Sequence, residues 1–144
     1  MRNRNDSIRR GTYLLLLTFS ENVEVAVGSL GTVNLCAGTY CYVGSAMGGL
    51  DQRIGRHLSK EKKVRWHIDR LTLLADSMFA YESYPDFIPE CELASVLESA
   101  GGIPAVKGFG CSDCSCFTHL FRVEHRAILD VVSRLGLRKF HPDE

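Results

Sequence analysis

The stretch "GTYLLLLTF" (Gly11–Phe19) is the strongest constraint on what this chain can fold into. A continuous apolar run of this length, bounded by turn residues, reads as a strand buried in a core. The next segments follow from it. "VEVAVG" (Val23–Gly28) alternates with the period of a half-buried strand, and Gly28-Ser29-Leu30-Gly31 is a turn. "TVNLCAG" then reads as the returning strand and "TYCYVGS" as the next, so the first third is expected to be a β-meander of about four strands.

The period changes after Gly48-Gly49. Leu50, Ile54 and Leu58 recur at helical spacing, which predicts a helix from Leu50 to about Lys60. "VRWHIDRLTLLA" (Val64–Ala75) reads as a short helix and "DSMFAYESY" as a strand. Pro89 is expected at the first position of a helix over Glu90–Ser99, ended by Gly101-Gly102. "CFTHLFRV" reads as a late strand, and "HRAILDVVSRLG" (His125–Gly136) as an amphipathic helix stopped by glycine. The expected fold class is α+β: a small, mainly antiparallel sheet flanked by helices, in one domain over residues 11–144.

With 144 residues, 45% hydrophobic and 24% charged, the chain has the composition of an ordinary globule that can bury a proper core. No apolar run is long enough for a membrane span. The start, "MRNRNDSIRR", lacks an apolar segment, so it reads as a frayed basic arm (residues 1–10) rather than a secretory signal, and a cytoplasmic location is expected. A disulfide framework is then not expected among the six cysteines. Cys36, Cys41 and Cys91 have apolar neighbours and read as small core residues. The formal net charge of zero argues neither for nor against a nucleic-acid partner.

The chemistry concentrates in "GTYCYVGSAMGGLDQRIGRH" (Gly38–His57). Residues two apart on a strand share a face, so Tyr40 and Tyr42 point the same way, and Tyr13 can join them if the first strand pairs nearby. The helix after Gly49 sets Arg53 and His57 one above the other, and its N-terminus can attract an anion. Phenols, a fixed cation, an imidazole and a helix N-terminus are the parts needed to hold and attack a phosphodiester. An ordinary sheet with a polar helix beside it would carry the same residue types. Trp66, His67 and Asp69 in "VRWHID" read either as a core Trp with a hydrogen-bonded His or as part of a cleft. Seven cations, including Arg56, Lys62, Lys63 and Arg65, gather over Arg53–Arg70, as a solvated helix face or as a surface for backbone phosphates.

These motifs resemble the GIY-YIG nuclease superfamily. Gly11-Thr12-Tyr13 matches its Gly-x-Tyr strand, Tyr42-Val43-Gly44 its Tyr-x-Gly strand, and Arg53 with His57 its helix. The wording "YVGSAMGGL…RIGRH…WHID" is most similar to a prokaryotic branch that occurs alone or appended to endonuclease III-type glycosylases. The interval from Tyr13 to Tyr42 is longer than usual, which implies an inserted β-hairpin (Val23–Cys36) and leaves Tyr40 as an alternative to Tyr13. The resemblance implies an endonuclease that hydrolyses phosphodiesters with Mg²⁺, in DNA repair, with DNA and a repair protein as partners. It implies Glu90 or Glu92 as the Mg²⁺ ligand, and Glu90 fits the Glu-x-x-Leu pattern. Arg53 would hold a phosphate oxygen, Tyr13 or Tyr42 would take or orient the proton of the attacking water, and His57 would relay it, with His67 in the cleft. Tyr40, Gly44, Ser45, Arg56, Lys62, Lys63 and Arg65 would contact the substrate. A nucleic-acid-binding module of the same fold without turnover is the alternative.

One cluster stands apart. "GCSDCSCFTHLF" offers Cys111, Cys114, Cys116 and His119, three thiols and an imidazole that could complete a tetrahedral zinc site or form a redox-sensitive group. A zinc- or thiol-dependent protein with structural tyrosines is the third reading.

Overall fold

A computed structural model describes residues 8–111 and 114–142. The elements run β1 (Gly11–Phe19), β2 (Val23–Ala26), β3 (Thr32–Leu35), β4 (Gly38–Ala46), α1 (Leu50–Leu58), α2 (His67–Thr72), β5 (Ser77–Ser83), α3 (Glu90–Ser99), β6 (Ile103–Pro104), β7 (Leu120–Arg122), α4 (His125–Leu135) and β8 (Arg138–Lys139). The fold is α+β. Six strands pair antiparallel in the order β6-β7-β4-β1-β5-β8, flanked by the four helices.

The apolar run of β1 explains this arrangement. It lies in the middle of the sheet, paired with β4 on one side and β5 on the other, and its two faces feed two cores. Tyr13, Leu15, Leu17 and Phe19 pack under α1, α2 and the β2–β3 hairpin. Leu14 and Leu16 pack under α3 and α4 with Cys41, Val43, Leu97 and Ile128. A strand covered on both faces reads as continuous rather than alternating apolar sequence. Each leucine so buried stabilises the fold by roughly 1.5–3 kcal/mol relative to exposure.

The expected four-strand meander is not what forms. β1 pairs directly with β4, Gly11 against Ala46 through Phe19 against Gly38. β2 and β3 pair only with each other, as the inserted hairpin. The late strand is shorter than expected: β7 begins at Leu120, and just before it the His119 carbonyl accepts from Val43 N–H of β4 (2.8 Å). Pro89 sits one position before the first helical residue of α3, as its N-cap, not inside it. α4 stops at Gly136 in the left-handed conformation (φ 67°).

Residues 1–7 of the expected basic arm lie outside the described residues. The arm's end is not frayed: Arg9 pairs with Asp51 (2.6 Å) and with Glu82, and Arg10 donates to the Met47 carbonyl (2.9 Å).

Candidate phosphodiester cleft and thiolate cluster

β1, β4 and α1 deliver the predicted constellation to one place. Tyr13 stands on β1 opposite Gly44 of β4, and Tyr42 is two residues further back along β4 on the same face. The Tyr13 ring lies across Gly44. A Cβ at position 44 would come within 2.4 Å of the Tyr13 hydroxyl, so only glycine leaves room for it. Gly44 therefore serves the cleft by making space, not by touching a substrate.

The hydroxyl so placed meets His57, which α1 buries against the sheet: Tyr13 Oη lies 2.6 Å from His57 Nε2. The other ring nitrogen, Nδ1, is buried without a hydrogen-bond partner. Tyr42 completes the group, with its ring centroid 6.4 Å from Tyr13, 6.1 Å from His57 and 6.0 Å from Phe109. One helical turn before His57, Arg53 donates to the Ser45 carbonyl (3.0 Å) and lies over the Trp66 ring at 4.5 Å. These residues, with Arg65, His67 and the Gly108–Cys111 segment, line an open cleft of about 450 Å³.

Burial sets the protonation of this group. It pushes the Tyr13 phenol well above its ordinary value and Tyr42 up to about 12, against the opposing pull of Arg53. Desolvation thus outweighs the charge of the neighbouring cation, and neither phenol is acidified by it. Burial and then the Lys62 ammonium push His57 down to about 3, so the ring is neutral near pH 7. A buried, neutral, hydrogen-bonded Tyr–His pair results.

Several expected substrate contacts have other duties. Tyr40 is buried, its hydroxyl donates to the Cys36 carbonyl (2.7 Å) and its ring packs on Phe19, so it belongs to the core. Ser45 offers its carbonyl to Arg53. Arg56 lies over Trp66 at 4.4 Å and pairs with the buried Asp69 at 2.6 Å. Asp69 in turn accepts from the backbone N–H groups of Arg65 and Trp66, closing the start of α2. The Lys62 ammonium donates to the carbonyls of Arg56 and His57 and to the Thr72 hydroxyl, tying the end of α1 to α2. The basic surface is therefore narrower than the sequence suggests, with Lys63 and Arg65 exposed beside the cleft. His67 lines the cleft, 6.2 Å from the Phe109 ring.

The expected glutamates do not enter the cleft. Among the described residues that line it, none is Asp or Glu. Glu92 is exposed on α3. Glu90 is near enough for its charge to raise both phenols, but its carboxylate lies 2.5 Å from His119 Nδ1, in an ion-pair contact off the line of the ring N–H. A hard cation such as Mg²⁺ asks for carboxylate oxygens, and the described residues of the cleft present none.

His119 leads to the second site. Its Nε2 lies 3.6 Å from Cys114 Sγ and 3.9 Å from Cys91 Sγ. Donor atoms of Cys91, Cys114, Cys116 and His119 all fall within 4.8 Å of one another, a group that could hold a metal ion. Two expectations change here. Cys91 is exposed in the first turn of α3, not a core residue, and Cys36 is exposed as well. Cys111 is not one of these four donors: it lines the cleft, with its thiol donating to the Phe109 carbonyl (3.4 Å), and stands beside the group, near enough to Cys114 for the two thiols to interact. Cys91 escapes a reading by motif because it lies 28 positions from His119 and only the docking of α3 brings it in. A cysteine in the first turn of a helix, next to an acid, was the available signal.

A small α+β domain with a Tyr–His–Arg cleft and a Cys₃His cluster is the class the geometry defines. The chain belongs to the family described as "Domain of unknown function DUF123", which it matches over residues 12–139. No curated protein and no solved structure matches it. Among the described residues no helix is long and apolar enough to cross a membrane.

Proposed function

We propose that this chain binds nucleic acid, DNA first, with a backbone phosphodiester seated beside Arg53, and that it cuts that bond in the manner of the GIY-YIG nucleases it resembles. The observation that carries the reading is the convergence of Tyr13, Tyr42, Arg53 and His57, from three elements, in one open cleft. Arg53 keeps donors beyond the one spent on Ser45 and can grip a phosphate oxygen. The neutral Tyr42 hydroxyl can donate to a second oxygen. The Trp66 ring carries both Arg53 and Arg56, at 4.5 and 4.4 Å, which holds the Arg53 guanidinium at the cleft where a phosphate would sit.

Proton transfer then falls to Tyr13 and His57. A water attacking phosphorus gives its proton to Tyr13 Oη as the phenol proton passes to His57 Nε2. As the new P–O bond forms, the bond to the leaving oxygen breaks, and that alkoxide, neutralised by Arg53, takes its proton from the water of the open cleft while the imidazolium later returns its own to solvent. His57 is a poor acceptor in the free protein, and the negative charge of a bound phosphodiester raises its affinity for the proton. Among the described residues the cleft lining holds no carboxylate to anchor Mg²⁺, and the proton route runs through Tyr13 and His57. Of the two metals the sequence raised, zinc is the one whose donor types meet in this chain, and we take it to be the resident ion.

The absent carboxylate favours a second reading, a module that binds nucleic acid without cutting it. Single-turnover cleavage and affinity on nicked, branched and damaged duplexes, with and without Mg²⁺, separate the two. The resemblance to a branch appended to repair glycosylases makes those the substrates to try first. Cleavage that falls about a hundredfold in Arg53→Ala, more than affinity does, supports the nuclease. Tight binding without cleavage supports the module, and no binding defeats both.

A further inference from the structure

We infer that Cys91, Cys114, Cys116 and His119 form a closed, structural zinc site, with Glu90 as the outer partner of the histidine, and that the ion bolts one wall of the cleft to α3. The inference deepens the zinc assignment above and does not depend on nuclease activity.

The ligand geometry comes first. A tetrahedral zinc with Zn–S of about 2.3 Å and Zn–N of about 2.0–2.1 Å sets neighbouring donors roughly 3.5–3.8 Å apart. Between nitrogen and sulfur that edge is about 3.6 Å; the separation from His119 Nε2 to Cys114 Sγ (3.6 Å) matches it, that to Cys91 Sγ (3.9 Å) is about 0.3 Å longer, and all four donors lie within 4.8 Å of one another. Three thiolates and one imidazole are a closed donor set for zinc, and soft enough to disfavour Mg²⁺ and Ca²⁺. Four protein ligands leave no open position for a substrate water, so the site is structural.

The outer shell supports it. Zinc-bound histidines commonly place their far nitrogen on a carboxylate, which fixes ring orientation and strengthens the donor. Here Nε2 faces the sulfurs while Nδ1 lies 2.5 Å from the Glu90 carboxylate, an ion-pair contact off the N–H line that a small turn of the carboxylate would convert into a hydrogen bond. Glu90 is thereby given a task other than the Mg²⁺ ligation that its sequence pattern implies.

The location supplies the role. Two ligands, Cys114 and Cys116, sit in the loop that returns to β7, His119 stands at its end, and Cys91 sits on α3. The same loop forms the cleft wall at Gly108–Cys111. Within the loop His119 N–H donates to the Phe109 carbonyl (2.8 Å) and Gly108 N–H to the Phe117 carbonyl (2.7 Å), and Val43 N–H of β4 donates to the His119 carbonyl (2.8 Å), which ties the loop's end to the sheet. Gly110, at φ +74°, fits between Tyr42 and His119, where a Cβ would lie 3.1 Å from the tyrosine ring and 3.2 Å from the histidine Cβ. An ion that joins the loop's end to α3 therefore holds Gly110 against Tyr42.

The test is metal content of the full chain purified without chelator or added metal, with thiols kept reduced. One zinc per chain is expected. Cobalt exchanged into it should show the ligand-field bands of a tetrahedral thiolate site. Cys114→Ser and Cys91→Ser should each lose most of the metal, whereas Cys111→Ser should keep it. Glu90→Gln should keep the fold and weaken zinc affinity about ten- to hundredfold in a chelator competition. Emission of Trp66, the single tryptophan and part of the same cleft lining, should change on stripping zinc from wild type, a readout that does not require Ser variants to fold. A well-folded chain without metal, a disulfide among these cysteines, or loss of metal in Cys111→Ser would overturn the inference. Zinc bound as expected in a chain that binds no DNA would leave this site standing and remove the proposed function instead.

Discussion

The Tyr13 hydroxyl and His57 Nε2 lie 2.6 Å apart, both side chains 1% exposed, at the floor of the cleft. A contact this short between buried polar groups is costly to remove, because the His57 ring has no other hydrogen-bond partner among the described residues. Tyr13→Phe leaves His57 with both ring nitrogens unpartnered. Destabilisation of about 1–3 kcal/mol is expected in urea unfolding. A loss below about 0.5 kcal/mol would mean the hydrogen bond is not made in solution.

Acid should expose the same pair. His57 has its folded pKa near 3, against an ordinary value of 6.5, because burial and Lys62 disfavour the charged ring, with Arg53 and Arg56 adding to that and Asp69 opposing it. Between those values the unfolded chain binds the proton and the folded chain does not. Stability from this group is therefore full above pH 6.5 and falls as pH drops toward 3. The carboxylates contribute their own loss over the lower part of the window. In His57→Gln the slope of unfolding free energy against pH between 6.5 and 5, where carboxylates titrate little, should flatten. An unchanged slope there would show that His57 is not buried neutral.

Gly44 gives a packing test. Gly44→Ala drives a Cβ into the Tyr13 ring, with calculated approaches of 2.4 Å to Oη and 2.5 Å to Cζ. Overpacking of this kind costs roughly 1–3 kcal/mol. The penalty should shrink when Tyr13→Leu is added, since the clashing atoms are gone. Additive effects in the double-mutant cycle would mean that the two residues do not touch.

Lys62 and Lys63, neighbours in sequence, should separate completely. Lys62→Met removes three donors that join α1 to α2, so melting temperature should fall. Lys63 is exposed, and its side chain is free to meet phosphate. Lys63→Glu should leave melting unchanged and reduce the slope of log affinity against log salt by about one unit or more if the proposed DNA surface is right. Equal effects of the two substitutions on melting would contradict the assignment of Lys62 as a tie.

Local pattern carried much of this far. The period-two pairing of Tyr40 with Tyr42, the i,i+4 pairing of Arg53 with His57 and the amphipathic stripe of α4 follow from backbone geometry that every strand and helix shares. The Tyr13–Tyr42–His57 grouping needed one further fact, the direct pairing of β1 with β4, and the inserted hairpin was legible from the long interval between the two tyrosines. What pattern could not weigh was competition for each polar group. Tyr40 shares a face with Tyr42 but is absorbed by the Cys36 carbonyl and Phe19. Glu90 has the right spacing for the cleft but turns to His119.

By itself, then, the sequence determined the elements, the buried central strand and which side chains share a face, because those depend on neighbours within a few positions. Only the tertiary structure decided that Cys91 replaces Cys111 beside His119, that Lys62 is a tie and not a phosphate contact, and that both phenols are pushed up rather than down. Each of these depends on the distance between groups far apart in the chain and on how much water their packing removes. Coulomb attraction and desolvation act through space, and no spacing along the chain records them.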